Sequence, residues 1–256
     1  MALSKKEQNV FQMILFRKNM GTFMPQEKLK EFWNYDFKHL DNVKKEKTLQ
    51  HREEKIKLVE ENLKNIIFLN WVQFVGITGS VAANICKKDD DIDVFIIVRN
   101  DRMWLYRGIL TLKLGIKSLR RVWGKPFKDK IDTNFICEER GIQFSPESIF
   151  VLHELLFMIP VYNKGYYDKI LDVNYELLQN YGIKRKQDFV NSKRNYVFAF
   201  LNRMAFFAQY VYMLIKKHRP DKTRLEKNNK RGRIAFFPED FSKKKMREFK
   251  KLCENY

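Results

Sequence analysis

The chain has 256 residues, with 50 Lys and Arg against 31 Asp and Glu, a formal net charge of +19 and a pI near 9.7. That excess is more than a globular enzyme acting on neutral metabolites needs; it points to a polyanionic partner such as nucleic acid, nucleotide or an acidic membrane surface, unless the Lys-rich composition simply follows an AT-rich genome. Apolar residues make up 45%, with 22 Phe and 11 Tyr, which excludes a disordered chain and suffices for a real core.

Residues 1–66 read as helical, because "EKTLQHREEKIKLVEENLKNIIFL" sets apolar residues at helical spacing among Glu/Lys pairs three or four apart. "WVQFVGITG", 71–79, then switches to β-rich composition and ends in glycine. "SVAANICKK" has the length of a short helix with Ser80 as its N-cap. "DIDVFIIV", 91–98, is apolar on both faces and predicts a central, covered strand. "NDRMWLYRGILTLKLGIKSLRRVW" predicts a basic helix, and "KIDTNFICEE", 130–139, another strand. "SPESIFVLHELLFMI" predicts a helix capped by Ser145 with Pro146 as its first residue.

Helices dominate from Tyr166 onward. No uncharged apolar run reaches about 18 residues. The nearest, residues 195–215, carries Arg203 near its middle and predicts a buried helix rather than a membrane span. Its aromatics from Tyr196 to Tyr212 are expected to pack a core, with base stacking as the alternative. From Ile183 to Tyr256 there are 21 Lys/Arg and 7 Asp/Glu, so 14 of the 19 net charges lie in the last 74 residues. "KNNKRGR", 227–233, reads as a mobile basic loop there. The cysteines Cys86, Cys137 and Cys253 are too scattered for a zinc site or a disulfide framework and fit a reducing cytoplasm. No secretion signal is legible at the N-terminus, so a cytoplasmic location without membrane attachment is the expectation.

The chemistry concentrates in "GITGSVAANICKKDDDIDVFIIV", residues 76–98. Asp91 and Asp93 are two residues apart at a strand's mouth, so both carboxylates face the same way. Such crowding raises each carboxylate's proton affinity. A divalent cation relieves it, and two ions can clamp the attacking and leaving oxygens of an in-line displacement. Gly79 lets backbone approach a phosphate, the amides after it favour an anion, and Ser80 adds a hydroxyl donor. Mg²⁺ suits such a site because it keeps positions for water and substrate phosphates; Mn²⁺ is the alternative ion. Asp132, at the start of the strand 130–139, is the expected third ligand, preferred over Asp129, Glu138 and Glu139. Lys87 and Lys88 are read as a solvated helix end, and His153 and Glu154 as a satisfied half-buried pair, with a general base at His153 as the lesser reading.

A Gly79-Ser80 step followed after ten residues by Asp91-x-Asp93 resembles the signature of the polymerase-beta-like nucleotidyltransferase superfamily. The likeness covers roughly residues 70–140. It implies an α+β fold: a small mixed β-sheet core flanked by helices, with a helical C-terminal region completing a nucleotide or acceptor pocket. The corresponding division is a helical segment 1–66, a core 67–160 and a basic helical region 161–256. It also implies metal-dependent transfer of a nucleoside monophosphate from a triphosphate such as ATP to an acceptor hydroxyl, with pyrophosphate leaving. Asp91, Asp93 and Asp132 would be the catalytic metal ligands, for two Mg²⁺ ions, and Gly79 and Ser80 would bind the nucleotide. The basic C-terminal region makes RNA, such as the end of a tRNA, the expected acceptor. A non-catalytic nucleic-acid-binding module, a toxin-like enzyme modifying protein and synthesis of a nucleotide messenger are the alternatives.

Overall fold

Ser4 and Glu7 form a capping box that starts the first helix, α1 (Lys5–Asn19). The Glu7 carboxylate accepts from the Ser4 amide at 2.8 Å, and Ser4 Oγ accepts from the Glu7 amide at 3.3 Å. There follow a two-residue strand β1 (Met24–Pro25), α2 (Gln26–Trp33), a second short strand β2 (Val43–Lys44) parallel to β1, α3 (Gln50–Glu61) and the single turn α4 (Leu63–Ile66). Among the described residues of this stretch, the helical reading needs the two short strands added. The computed structural model describes residues 4–35, 43–44, 50–121, 126–144, 148–189, 193–215, 221–235 and 246–251.

The remaining elements are β3 (Val72–Ile77), α5 (Gly79–Ala82), β4 (Ile92–Val98), α6 (Met103–Ile116), β5 (Ile131–Glu138), α7 (Ile149–Phe157), β6 (Ile159–Tyr162), α8 (Tyr166–Val173), α9 (Tyr175–Asn180), α10 (Tyr196–Ile215), α11 (Lys222–Lys230) and β7 (Arg233–Ala235). The fold is α+β. Its main sheet has the order β6-β3-β4-β5-β7 and is mixed: β4 and β5 run parallel, the other pairs antiparallel. β4 is central, as its two-sided apolar pattern requires. Alternation along it sends Phe95 and Ile97 into a core shared with α1, α2, α7, α8 and α9. Ile92, Val94, Ile96 and Val98 point into a second core shared with α6 and part of α10. Asp93 alternates with Ile92 and Val94, which places it on the α1/α7 side of the sheet.

Four expectations need correction. The basic helix of residues 100–123 ends at Ile116, where Lys117 caps it and Ser118 turns left-handed at φ 54°. The chain then runs beside the start of β5, with the Ile131 amide donating to Leu119 O at 2.7 Å. "KNNKRGR" is ordered: Lys227–Lys230 belong to α11, Gly232 makes the turn at φ 68°, and Arg233 opens β7. Arg233 is buried, with its guanidinium donating to Gly141 O at 2.6 Å and to Gln143 O, so pairing with β5 overrides the breaker composition. Ser80 is not an N-cap; Thr78 precedes α5, and Ser80 is its second residue. Finally, α10 is not a buried helix. Its Asn202–Phe206–Gln209–Met213 stripe, flanked by Phe198, Ala205 and Tyr210, meets the body of the protein, and the opposite face stays open.

The proposed helix start at Ser145 and Pro146 lies outside the described residues. α7 is capped by Ser148, whose hydroxyl accepts from the Val151 amide at 3.2 Å.

Candidate metal and nucleotide site

The site is built at one end of the sheet, where β3 leaves and β4 and β5 begin. Asp93 and Asp132 are register partners across the parallel β4–β5 pair, and Asp91 stands one strand period before Asp93. The three carboxylates converge, with their ligand oxygens all within 4.8 Å of one another. Of the other acids near Asp132, Asp129 pairs with Lys55 Nζ at 2.7 Å, and Glu138 lies buried at the far end of β5 on Arg140.

Charge crowding shows in the proton affinities. Burial first, then the Asp91, Asp132 and Glu154 carboxylates, push the Asp93 pKa up to about 8. Burial also raises that of Asp91, against the pull of Arg121. Arg121, delivered by the strand-like segment after α6, places Nη1 2.6 Å from Asp132 Oδ2 and 2.6 Å from Asp91 Oδ2. It hydrogen-bonds to Asp132; Asp91 Oδ2 is buried and accepts no hydrogen bond among the described residues. Burial works against the guanidinium charge, but the Asp132 hydrogen bond and the carboxylate cluster outweigh it and raise the Arg121 pKa.

Gly79 explains its own presence. Its φ is +66°, and a Cβ there would be driven into the Asp93 carboxylate. Its amide donates to Glu154 Oε2 at 3.2 Å, so this N–H is held by a protein carboxylate. Ser80 Oγ donates to Asp90 Oδ2 at 3.3 Å, an oxygen that also accepts from the Lys87 amide at 2.8 Å. The Lys87 and Lys88 side chains are exposed, as expected for a solvated end.

The single turn of α5 is fastened by groups the sequence reading did not single out. Arg52 of α3 donates to Val81 O at 2.8 Å and Ala82 O at 3.4 Å, and Arg17 of α1 donates to Ala83 O at 3.0 Å. The Ala82 and Ala83 carbonyls are thereby satisfied by cations, and the Val81 carbonyl, which accepts from the Asn84 amide at 3.2 Å, gains a second donor. Arg17 is 1% exposed. Its Nη1 also lies 3.1 Å from His153 Nε2. A guanidinium only donates, so Nε2 accepts and the ring proton sits on Nδ1, 3.5 Å from Glu154 Oε1. Arg17 and His153 thus meet Glu154, whose other oxygen holds the glycine turn. Burial lowers the His153 pKa, and the ring is fully enclosed, so the general-base reading of His153 has no path to a substrate.

Lys55, buried on α3, donates to Lys88 O at 3.1 Å, Asp90 O at 2.6 Å and Asp129 Oδ1 at 2.7 Å. It ties the loop before β4 to the loop before β5, the two loops that aim Asp91 and Asp132. Lys55→Met leaves those acceptors unpaired and is expected to cost about 2–4 kcal/mol of stability. A lower urea midpoint at unchanged slope is the readout.

The cluster is a donor set of three carboxylates, which suits a hard divalent cation that binds through oxygen. The Arg121 guanidinium bridges two of them. Comparisons of the chain with protein-family models, with curated proteins and with solved structures gave no match.

Proposed function

We propose that this chain is a metal-dependent nucleotidyltransferase that moves a nucleoside monophosphate from a triphosphate to an acceptor hydroxyl. The observation that carries the reading is the convergence of Asp91, Asp93 and Asp132 within 4.8 Å beside the Gly79 turn. Those three residues would hold one or two Mg²⁺ ions, with Mn²⁺ as a substitute. When bound, the ions offset triphosphate charge and lower the pKa of the acceptor hydroxyl. The acceptor hydroxyl releases its proton to solvent, its oxygen forms a bond to the α-phosphorus, the α–β bridging P–O bond breaks, and pyrophosphate departs. Gly79 keeps the surface beside Asp93 open. Arg17, Arg52 and Lys55 hold the turn and loops that aim the carboxylates. Arg121 supplies a positive charge next to the reacting phosphates.

The acceptor class in this proposal is RNA, on the strength of the net charge of +19. The protein, Mg²⁺ and each of four α-labelled triphosphates are incubated with total RNA and a protein extract. Label is expected in RNA with one triphosphate and is expected to vanish with Asp91→Asn. Label confined to protein overturns the acceptor and leaves the chemistry; no label in any fraction overturns the enzyme.

One observation favours a second reading, a non-catalytic nucleic-acid-binding module. Arg121 already pairs with Asp91 and Asp132, as a purely structural ion network would require. A single guanidinium against three carboxylates leaves the ionised cluster at −2, which is why the metal reading ranks first. RNA binding that survives Asp91→Asn, without turnover of any triphosphate, identifies the module.

A further inference from the structure

The face of α10 turned away from the protein is unlike the rest of its surface. Phe200, Met204, Phe207 and Val211 recur at helical spacing along it, at 65%, 55%, 49% and 51% exposure. Leu112 and Ile116 of α6, one and two turns beyond the point where Gly108 admits Gln209 of α10, are open as well. Exposed apolar surface on this scale marks an interaction site.

The charges around the face choose its partner. A cavity of about 590 Å³ opens at its edge, lined by Arg203 and Lys230 together with Phe200 and Phe207, and by Arg140 and Arg194, which pair with Glu138 and Asp101. Among the described residues the one carboxylate lining it is Asp101, which also accepts from the Asn195 amide at the start of α10. Rings that enter an apolar phase next to guanidinium and ammonium groups match the boundary between acyl chains and anionic headgroups. A second copy of the chain fits poorly, because each copy brings +19.

α10 is long and apolar enough to cross a membrane, but the fold holds it as a surface helix. Asn202 Oδ1 accepts from the Trp104 amide at 2.7 Å, Gln209 donates to Trp104 O at 2.7 Å, and Arg107 donates to Gln209 Oε1 at 2.7 Å. A spanning helix would have to break all three bonds. We propose that the outer face of α10 and its cationic edge form a docking surface for anionic phospholipid membranes, on which the helix lies in the plane of the interface.

The test floats the full chain with vesicles of phosphatidylcholine alone and with vesicles containing phosphatidylglycerol. Wild type is expected to rise with the anionic vesicles and to stay behind with the neutral ones. Phe200→Asp/Phe207→Asp, at positions 65% and 49% exposed, is expected to keep the wild-type melting curve and to weaken partition at least about tenfold. Arg194→Glu/Arg203→Glu is expected to remove the preference for anionic lipid. Lys57→Glu, on exposed α3 surface, is expected to bind as wild type does. The proposal is overturned if wild type does not float or if the Phe double variant floats equally well. It is also overturned if wild type is a dimer that the Phe variant turns into monomer, or if these Phe residues crosslink to RNA while vesicles are ignored.

Discussion

Asp93→Asn is expected to make the metal-free protein more stable at pH 8 while abolishing nucleotidyl transfer. The sign follows from the proton affinities. Asp93 goes from an ordinary carboxylate value of 3.8 to about 8 on folding, so the folded chain holds its proton more tightly than the unfolded chain does. Its contribution favours folding at low pH, fades as pH rises between roughly 4 and 8, and leaves the full penalty above that window. The wild-type chain without metal should therefore lose stability across the window, and Asp93→Asn should flatten that slope. For a chain of this size each kcal/mol of relief appears as about 2–4 °C in Tm. Mg²⁺ at pH 8 should raise the Tm of wild type and not of the variant. An Asp93→Asn protein with the wild-type pH slope, or one that Mg²⁺ stabilises equally, would show that Asp93 neither carries the crowding nor binds the ion.

Gly79→Ala carries the second large effect. A non-glycine residue at φ +66° costs about 1–3 kcal/mol by itself. The added methyl also meets the Asp93 carboxylate, and relief of that clash moves either the turn or Asp93. The turn is tied by Glu154, Arg17 and Arg52, and Asp93 by its neighbours in β4, so neither shifts freely. Loss of Tm together with a transfer rate down by roughly 10² or more is expected, since misplacing a catalytic group by about 1 Å has that effect. Ser80→Ala is the control. It removes one hydrogen bond of 3.3 Å and should cost only about 0.5–1.5 kcal/mol. If the alanine at position 79 proves as mild as the one at 80, the close packing of Gly79 on Asp93 has no functional weight.

The α10 face adds a different consideration. A basic chain is readily assigned a nucleic-acid partner from charge alone, yet here several cations surround an apolar surface that phosphate backbones do not need. Charge measures attraction to a polyanion. The apolar component beside it discriminates between polyanions.

Local order was legible along most of the chain. Period-two alternation set Asp91 and Asp93 on one face, and two-sided apolarity made Ile92–Val98 central in its sheet. Gly79 was conspicuous as a glycine ending a strand before Ser80, read as room for a phosphate, and the structure adds its φ of +66° and the Asp93 carboxylate where a Cβ would stand. These features depend on neighbours a few residues apart, which a sequence displays directly. The partners of the cluster were not legible: Arg121, Arg17, Arg52, Lys55 and Glu154 are ordinary charged residues in their own stretches. Most acquire their role from a contact made across a long separation, such as Arg17 with His153, 136 residues on, and Arg121 from one made 11 residues on, across a turn between two segments. α10 failed for the complementary reason. Its composition is apolar nearly all round, and periodicity cannot say how many layers will cover a helix. The tertiary packing covered one face, chiefly with α6, and left the other exposed.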